Sequence, residues 1–374
     1  MAIQVIQSPG QYVFTGNPVV FQLRSDTEDY MHVAITFEGR THQASYYPYK
    51  QGNEYRVKID ISDYLRSDSD FSYAESGNDI VSEIQGFSIP FQVKIEDYVF
   101  NGIALRGGIS RQAIGRLEEN GYDIFTYRLS SFFDNFLFTT RTHGREIELR
   151  ETELFPFVFI HPGLPIYFKA DTGEEIISNA KTAGKFCSMD VRKLLEQFSA
   201  GAKRIEVCPN GEYSFHFTIL PGQRSEERYG LRFRNSLGAF EVLEVTGKAK
   251  QTPEFSEESL YETLREYDFY EQRRSRVKRS ANLEIETGYK KQNELPFIMD
   301  MLQSDEIYFI YPDGESFRCH VTSENAGWRN RITEPTSIQL KIRPAVKEEF
   351  FTPKIDFSED FDRIFVETFD EIFN

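Results

Sequence analysis

The sequence predicts a mainly β protein made of tandem β-sandwich or barrel-like domains, with a few short helices and an extended C-terminal arm. Phenylalanine and tyrosine, which favour strands, number 34 and 20 among 374 residues. Short alternating segments recur with turn residues between them, a spacing typical of sandwiches and barrels rather than of βαβ folds. The last stretch repeats phenylalanine every four residues among many acidic residues, so it has no core of its own.

Residues 1–107 are predicted to form an N-terminal β-sandwich. Turn signals at Ser8-Pro9-Gly10 and Gly16-Asn17-Pro18 separate its first strands. We place its end near Arg106-Gly107-Gly108. The clearest predicted strands are Tyr12–Phe14, Val19–Leu23, Met31–Phe37, Thr41–Tyr47, Glu54–Ile61, Phe87–Ile95 and Tyr98–Leu105.

Residues 108–226 are predicted to form a second β-rich domain that begins with a helix. Ser110 is placed to cap this helix over Arg111–Asn120. The predicted strands that follow are Phe136–Arg141, Glu146–Leu149, Phe155–Ile160 and Leu164–Ala170.

The second domain is a possible repeat of the first sandwich. In each, a strand ends at an aspartate, Asp60 or Asp190, which then stands at the N-cap of a short helical turn. The matching segments are Pro18–Leu23 with Pro165–Ala170, and Phe87–Ile95 with Tyr213–Leu220. This echo indicates either a functional duplication or a shared sandwich scaffold, and the scaffold is the simpler interpretation.

Residues 227–345 are predicted to form a third β-rich domain with one or two helices. A strong turn signal, Asn235-Ser236-Leu237-Gly238, separates two of its strands. Apolar spacing predicts helices over Ser256–Gln272 and Asn293–Gln303. The predicted strands are Tyr229–Phe233, Phe240–Val245, Asn282–Thr287, Glu306–Tyr311, Ser316–Thr322 and Ser337–Arg343.

Residues 346–374 form the predicted arm, which is acidic and carries a phenylalanine stripe. As a helix the stripe would wind slowly, and as a strand it would lie on one face. Each phenylalanine removed from water contributes about 1.5–3 kcal/mol. The stripe is therefore predicted to dock on a partner, the alternative being a frayed end packed loosely on the body. Its members are Phe357, Phe361, Phe365, Phe369 and Phe373.

A basic run is a second candidate for partner binding. Arg273, Arg274 and Arg276 lie in the segment Arg273–Arg279. The chain has a formal charge of −16, so contact with acidic surface on its own copies, or with water, is a simpler role than contact with nucleic acid or lipid.

The sequence shows no motif for nucleophilic catalysis, phosphate binding or metal binding. Its six histidines are scattered singly, and its three cysteines lack metal-ligand spacing. We therefore predict no enzyme activity, no cofactor and no metal. No apolar run of roughly 18 residues occurs, and Met1–Ile6 lacks the features of a signal peptide, so neither a membrane span nor secretion is predicted.

Several segments resemble a module found in tail proteins of phages and prophages of anaerobic gut bacteria. In that module a Thr-Gly-Tyr segment precedes a helix, a Ser-x-x-x-Tyr strand and a hairpin. The opening Gln7–Gly10 and Phe14–Val19 and the acidic, phenylalanine-repeating end are also similar, whereas residues 108–225 match poorly. The module's counterparts here are Arg232–Glu241, Thr246-Gly247-Lys248, Glu284–Tyr289, Leu295–Gln303 and Ser304–Tyr308.

The resemblance implies a structural role in the virion, at a tail tip, collar or baseplate. The partners it implies are copies of the same chain and other tail proteins, and it implies synthesis in the cytoplasm of a bacterial host. It carries over no catalytic residue. No matching motif indicates which position in a tail the chain would occupy.

Two other functions stay open at this stage. A tandem sandwich protein can bind a host-surface ligand or glycan through exposed aromatic residues, for which Tyr46-Tyr47-Pro48-Tyr49 is the best candidate. An edge or interface strand is the preferred interpretation of these tyrosines. A hydrolase would need two carboxylates that face each other across a cleft.

Overall fold

A computed structural model shows three β-domains, which confirms the predicted fold class. Apart from Val346, the predicted arm lies outside the described residues. The structure describes residues 3–52, 54–67, 71–74, 77–119, 137–141, 146–199, 201–209, 214–222, 227–256, 260–265, 269–274, 278–323 and 337–346.

The first domain is a sandwich of a four-stranded sheet, β1-β3-β7-β6, on a five-stranded sheet, β2-β10-β9-β4-β5. Inward and outward residues alternate along its strands, so Phe21, Ile35 and Ile59 are fully buried between the sheets. Helix α1 (Ser62–Ser67) follows β7. The strands are β1 Ile3–Gln7, β2 Tyr12–Phe14, β3 Val20–Ser25, β4 Met31–Phe37, β5 Arg40–Tyr46, β6 Tyr49–Gln51, β7 Glu54–Asp60, β9 Ser88–Ile95 and β10 Tyr98–Leu105.

The second domain is a sandwich of a five-stranded sheet, β11-β17-β16-β13-β14, on a three-stranded sheet, β12-β15-β8. Helix α2 (Arg111–Glu119) precedes it, as predicted, and α3 (Val191–Glu196) follows β15. A 3₁₀ turn spans Glu151–Glu153. The strands are β8 Val81–Glu83, β11 Glu146–Arg150, β12 Pro156–Ile160, β13 Ile166–Ala170, β14 Glu175–Ser178, β15 Phe186–Asp190, β16 Arg204–Cys208 and β17 Phe215–Leu220.

The two sandwiches share one strand order. In the first, β2 runs parallel to β10, and β9, β4 and β5 follow in antiparallel order. In the second, β11 runs parallel to β17, and β16, β13 and β14 follow in the same way. The first sandwich has the strand arrangement of an immunoglobulin-type sandwich, with its sheets in the orders A-B-E-D and A′-G-F-C-C′.

An edge strand of the second sandwich comes from the chain between β7 and β9 of the first. In the first sandwich β6 pairs with β7, and in the second the equivalent place beside β15 is taken by β8. Val81 of β8 lies opposite Met189 and is buried in the core of the second sandwich. The two sandwiches are therefore interlocked by strand pairing as well as by chain connection.

The aspartate caps expected from the repeat are present. The Asp190 Oδ1 accepts hydrogen bonds from the backbone N–H groups of Arg192 and Lys193, at 3.1 and 3.2 Å. The Asp60 Oδ1 accepts from the N–H of Ser62 at 3.0 Å and from the N–H of Val19 at 3.2 Å. Each aspartate thus satisfies backbone donors where a strand turns into a helix.

The predicted repeat matched strands of the first sandwich with the wrong strands of the second. The strand led by Pro18 is β3, whose equivalent by pairing is β12, led by Pro156. Pro165–Ala170 falls in β13, which is equivalent to β4, and β9 is equivalent to β16 rather than to β17. Short apolar strands share one alternation, so only their pairing identifies which of them correspond.

The third domain is a closed barrel with the order β18-β19-β22-β25-β24-β23. Helix α4 (Leu295–Gln303), predicted from its apolar spacing, follows a 3₁₀ turn at Gln292–Glu294 and carries Pro296 in its first turn. Its Phe297, Ile298 and Met301 are buried in the barrel core. The strands are β18 Arg228–Arg234, β19 Phe240–Ser256, β20 Leu260–Arg265, β21 Phe269–Arg274, β22 Lys278–Glu286, β23 Ile307–Ile310, β24 Ser316–Thr322 and β25 Gln339–Pro344.

The helix predicted over Ser256–Gln272 is wrong, because this segment contains β20 and most of β21. Leu260 and Leu264, spaced four apart, fit one face of a strand as well as one side of a helix. The neighbouring Tyr261, Thr263 and Phe269 belong to residue types that favour strands, and they give the better guide.

We expect Val81→Asp to lower the free energy of unfolding by about 3 kcal/mol or more, because it places a carboxylate in the core of the second sandwich. Hydrogen exchange should then accelerate in β15 more than in β3. Denaturant unfolding and exchange mass spectrometry measure the two effects. The control is Val99→Asp on β10, where Val99 is 47 % exposed. Equal losses in both variants would contradict the interlock.

Candidate functional site

All three domains contribute to one apolar cluster, which we call the junction core. Three of its rings lie close together, with centroids of Phe87 and Phe138 5.3 Å apart, Phe87 and Phe186 5.2 Å apart, and Phe138 and Phe186 5.9 Å apart. The described members are Phe14, Ile84, Phe87 and Leu105 from the first unit, Phe138, Val158, Ile160 and Phe186 from the second, and Leu237 and Ala239 from the barrel.

Four glycines lie where the backbones of the first sandwich and the barrel touch beside the junction core. The Gly16 N–H donates to the Gly107 carbonyl, and the Gly108 N–H donates to the Ser236 carbonyl, both at 2.7 Å. A Cβ on Gly107 would stand 2.3 Å from the Ser236 oxygen, and one on Gly238 would stand 2.2 Å from the Arg106 oxygen. Gly107 and Gly238 also have positive φ, at 111° and 87°, which favours glycine.

Asn235, at the predicted turn between β18 and β19, connects the barrel to the second domain. Its side-chain amide donates to the Phe138 carbonyl at 2.9 Å and to the Glu241 carboxylate at 2.6 Å. Its Oδ1 accepts from the N–H groups of Leu237 and Ala239. This buried side chain therefore has its donors and acceptor occupied, which holds the turn against the second domain.

Charged side chains between the second domain and the barrel form a buried ion cluster. Glu153 lies at its centre, with carboxylate oxygens 3.3 Å from Arg141, 3.5 Å from Arg150 and 3.8 Å from Lys290. The Glu153 carboxylate also accepts the backbone N–H of Glu244 at 2.8 Å. The members are Arg141, Arg150 and Glu153 from the second domain, and Glu241, Glu244, Lys290 and Glu294 from the barrel.

The cluster determines the ionisation of its members. Burial opposes a charge on Glu153, but Arg141, Lys290 and Arg150 together hold its pKa at about 2. Burial lowers the pKa of Lys290, and the attraction of Glu153 offsets only part of that effect. Burial raises the pKa of Glu241 in spite of Arg141. A charged Glu153 thus balances the surrounding cations together with Glu294, which lies 2.7 Å from Arg150.

The ion cluster connects domains, and two of its central side chains are closed to solvent. The side chains of Glu153 and Lys290 are both 0 % exposed. In the part of the chain that the structure describes, no group of three or more His, Cys, Asp or Glu residues is arranged to hold a metal ion. Nor does any helix in that part have the length and apolar content needed to cross a membrane.

A cleft of about 310 Å³ lies between the first sandwich and the barrel and is lined by three arginines. These arginines are engaged by this chain's own groups. Arg106 pairs with Asp305 at 2.8 Å, Arg234 pairs with Glu306 at 2.8 Å, and Arg66 donates to the Thr15 carbonyl at 3.2 Å. The cleft is therefore a seam between domains, without a free cation for an anionic ligand among these three.

Six of the eight predicted partner-binding residues fall outside the part of the chain that the structure describes. Phe357, Phe361, Phe365, Phe369, Phe373 and Arg276 lie outside the described residues. Arg273 and Arg274 fall in β21, opposite Tyr261 and Leu260 of β20, and their side chains are not among those described.

These two arginines belong to an extension of the barrel that we call the ribbon. It consists of residues 252–256 of β19 paired with 278–282 of β22, followed by the β20–β21 hairpin. Pairing of β22 with β25 begins only at Leu283, so the ribbon continues past the closed barrel. Within the described chain, β20 and β21 pair only with each other.

Tyrosines are concentrated at one end of the first sandwich, which we call the tyrosine end. Tyr30, Tyr47 and Tyr49 are 59 %, 54 % and 53 % exposed, and the rings of Tyr30 and Tyr47 meet edge to face with centroids 5.1 Å apart. The Tyr47 hydroxyl donates to Glu28 at 2.6 Å, and the Tyr55 hydroxyl donates to the other oxygen of the same carboxylate at 3.3 Å. Hydrogen bonding to Glu28 raises the pKa of Tyr47 to about 12.

The junction core and ion cluster were not identified from the sequence. One signal was available, because Glu241 and Glu244 interrupt the apolar strand β19 beside Val242 and Val245. An acidic residue inside such a strand predicts a buried cationic partner. The identity of that partner depends on the domain packing.

Comparison with known proteins gives no family. No family model matches the sequence, and no curated protein matches it. Among solved structures, the chain is similar to a chimeric titin Z1Z2-Z1Z2 tandem carrying a GRGDS peptide from fibronectin, at 12 % identity and a TM-score of 0.13. That match covers 59 % of this chain and 100 % of the titin chain. It is also similar to a chain of the complex of Dpr2 Ig1-Ig2 with DIP-Theta Ig1-Ig3, at 10 % identity and a TM-score of 0.17. That match covers 96 % of this chain and 91 % of the other. Scores this low carry no functional information.

We expect Glu153→Gln to lower the free energy of unfolding by about 3–5 kcal/mol, because it leaves buried cations without their central counter-charge. Adding Lys290→Met should restore part of that loss by removing one of those cations. Denaturant unfolding measures both. The control is Glu148→Gln, which removes an exposed ion pair with Lys291 and should cost less than about 1 kcal/mol. Equal losses for Glu153→Gln and Glu148→Gln would show that the ion cluster has no special role.

The contribution of Glu153 to the free energy of unfolding should also fall as the pH drops from about 4.5 toward 2. The pKa of Glu153 is about 2 in the folded protein and 4.5 ordinarily, so its stabilisation is full above the higher value and is lost as the pH approaches the lower one. Glu241, whose pKa is raised, has the opposite dependence. The difference between wild type and Glu153→Gln across this range therefore isolates Glu153. Parallel stability curves would contradict the assignment.

Proposed function

We propose that the chain is a non-enzymatic structural subunit of a phage tail, at a tip, collar or baseplate, which assembles as a symmetric oligomer with copies of itself and with other tail proteins. The ribbon is the observation that carries this proposal. It extends the barrel by a two-stranded element that gains no third strand from the described chain.

A two-stranded ribbon is marginally stable alone, and its open edges offer backbone donors and acceptors to another chain. The β20–β21 hairpin is six residue pairs long, or about 20 Å at the usual rise along a strand. An element of this kind gains stability when a neighbouring subunit covers it. A head-to-tail contact through the ribbon would generate a ring if the rotation closes.

The junction supports the same proposal because a ring subunit must hold its domains in one arrangement. The junction core, the glycine contacts and the ion cluster fix the three domains to one another. The first segment of the phage-tail resemblance, Arg232–Glu241, contains the turn that joins the barrel to this junction. The resemblance therefore falls on scaffold residues, which suits a structural role.

The phenylalanine arm and the basic run are the other proposed assembly elements. The basic residues Arg273 and Arg274 belong to the ribbon, and the chain as a whole carries a charge of −16. Contact between the basic run and an acidic surface of a neighbouring copy would favour one orientation of assembly.

The ribbon can be shortened at a defined point to test the proposal. Ser256 and Lys278 are paired, so replacing residues 257–277 by Asn-Gly closes a two-residue hairpin between them. We expect wild type to form oligomers with rising concentration and the shortened variant to remain a monomer, because the proposed contact is gone. Light scattering measures the mass, and circular dichroism checks that the three domains stay folded.

The matched control is Asp313→Asn in the β23–β24 turn, where Asp313 accepts the Glu315 N–H at 3.1 Å and asparagine keeps that acceptor. A second variant that ends at Val346 removes the arm and should also weaken assembly. A wild-type chain that stays monomeric, alone and with other tail proteins, would reject the proposal. A shortened variant that assembles normally would reject the role of the ribbon.

A further inference from the structure

The tyrosine end lies at the free end of the first sandwich. It is formed by the β3–β4 loop, the β5–β6 connection and the β9–β10 turn, and β10 runs from that turn to Leu105 in the junction core. Eight residues of β10 separate the two ends by about 27 Å. The tyrosines are therefore away from the surfaces that join the three domains.

The local structure holds the tyrosines in place before any ligand arrives. Glu28 anchors the hydroxyls of Tyr47 and Tyr55 with its two oxygens, and Pro48, which is buried, separates Tyr47 from Tyr49. The edge-to-face contact fixes Tyr30 against Tyr47. Rings with few rotatable bonds and a supporting hydrogen bond lose little entropy when they bind.

The size of this surface favours a small ligand over a protein. Three tyrosines of about 200 Å² each, half exposed, present roughly 300 Å² together. A standard protein interface needs about 800 Å² on each side. The area instead suits a few sugar units of a chain. The exposed ring faces are electron-rich and match the C–H face of a pyranose, while hydroxyls and carboxylates beside them accept hydrogen bonds from sugar hydroxyls.

The charged residues around the tyrosines limit the class of ligand further. Glu28 and Asp29 are exposed beside Tyr30, and Glu96 and Asp97 form the neighbouring turn. The nearby Arg24 and Arg56 are paired with Glu54, at 3.0 and 3.2 Å. Lys50 is a further cation here, with its Nζ 5.9 Å from the centroid of the Tyr55 ring. The carboxylates around the tyrosines outnumber it, so the surface disfavours an anionic polymer.

We infer that the tyrosine end is a binding surface for a neutral polysaccharide of a cell surface, with the ring faces of Tyr30, Tyr47 and Tyr49 stacking on sugar units. This site goes beyond the proposed structural function and does not depend on it.

Affinity electrophoresis of the full chain in gels that contain dextran, mannan, galactan or xylan tests the inference. We expect retardation by at least one of these neutral polysaccharides. Tyr30→Ser and Tyr47→Ser should each weaken binding by about tenfold, equivalent to about 1.4 kcal/mol. Tyr47→Phe, which keeps the ring and loses the bond to Glu28, should weaken binding less than Tyr47→Ser does.

The matched control is Tyr289→Ser on the barrel, where the tyrosine is 71 % exposed and the change should leave retardation unaltered. The absence of retardation in all four gels would overturn the inference. So would retardation that the Tyr289 variant loses as much as the Tyr30 variant. A tyrosine-dependent contact with a tail or host protein, without any polysaccharide binding, would assign the surface to a protein partner instead. None of these results bears on the oligomer mass that tests the proposed function.

Discussion

The contact among Phe87, Phe138 and Phe186 is the interaction on which the rest of the structure depends, because all three domains bury side chains in the core around it. The second sandwich takes β8 from the chain that leads to Phe87. The barrel fills the same core with Leu237 and Ala239. Each buried phenylalanine contributes about 1.5–3 kcal/mol. These contacts therefore couple the folding of neighbouring domains as well as fixing their positions.

The ion cluster specifies the relative orientation of the second domain and the barrel, which apolar packing alone would specify less strictly. Burying charges costs more than burying apolar groups of the same size, so a cluster of this kind is a poor source of stability relative to apolar packing. Its geometry is nevertheless demanding. Glu153 must meet Arg141, Arg150 and Lys290 at once, and a rotation between the second domain and the barrel would leave buried cations unpaired. We interpret the cluster as the device that selects one arrangement of these two domains.

Local features were predictable from the sequence where the deciding interactions are local. The caps at Asp60 and Asp190, the turn at Asn235–Gly238 and helix α4 each depend on residues a few positions apart. The placement of β8 was not predictable, since three residues of strand type carry no signal for which sheet they join. The helix predicted over Ser256–Gln272 failed because spacing by four fits both a helix and a strand.

The candidate site was less predictable than the fold for a related physical reason. Glu241 and Lys290 are far apart in sequence, and only domain packing brings them to Glu153 and its arginines. Tyr47 was predictable as a candidate because it belongs to the segment Tyr46-Tyr47-Pro48-Tyr49, whereas its support by Glu28 comes from a different loop. The predicted arm and basic run remain predictions, since their side chains lie outside the described part.

The architecture separates two kinds of surface. The first sandwich joins the other domains through one end, at Phe14, Phe87 and Leu105, and presents its tyrosines at the other. The ribbon extends from the barrel, which is joined to the first sandwich at the junction end. If subunits assemble through the ribbon as proposed, each copy would bring one tyrosine end to the particle. Multiple weak sugar contacts, one from each copy, would then act together, since linking sites on one particle raises the overall affinity well above that of a single site.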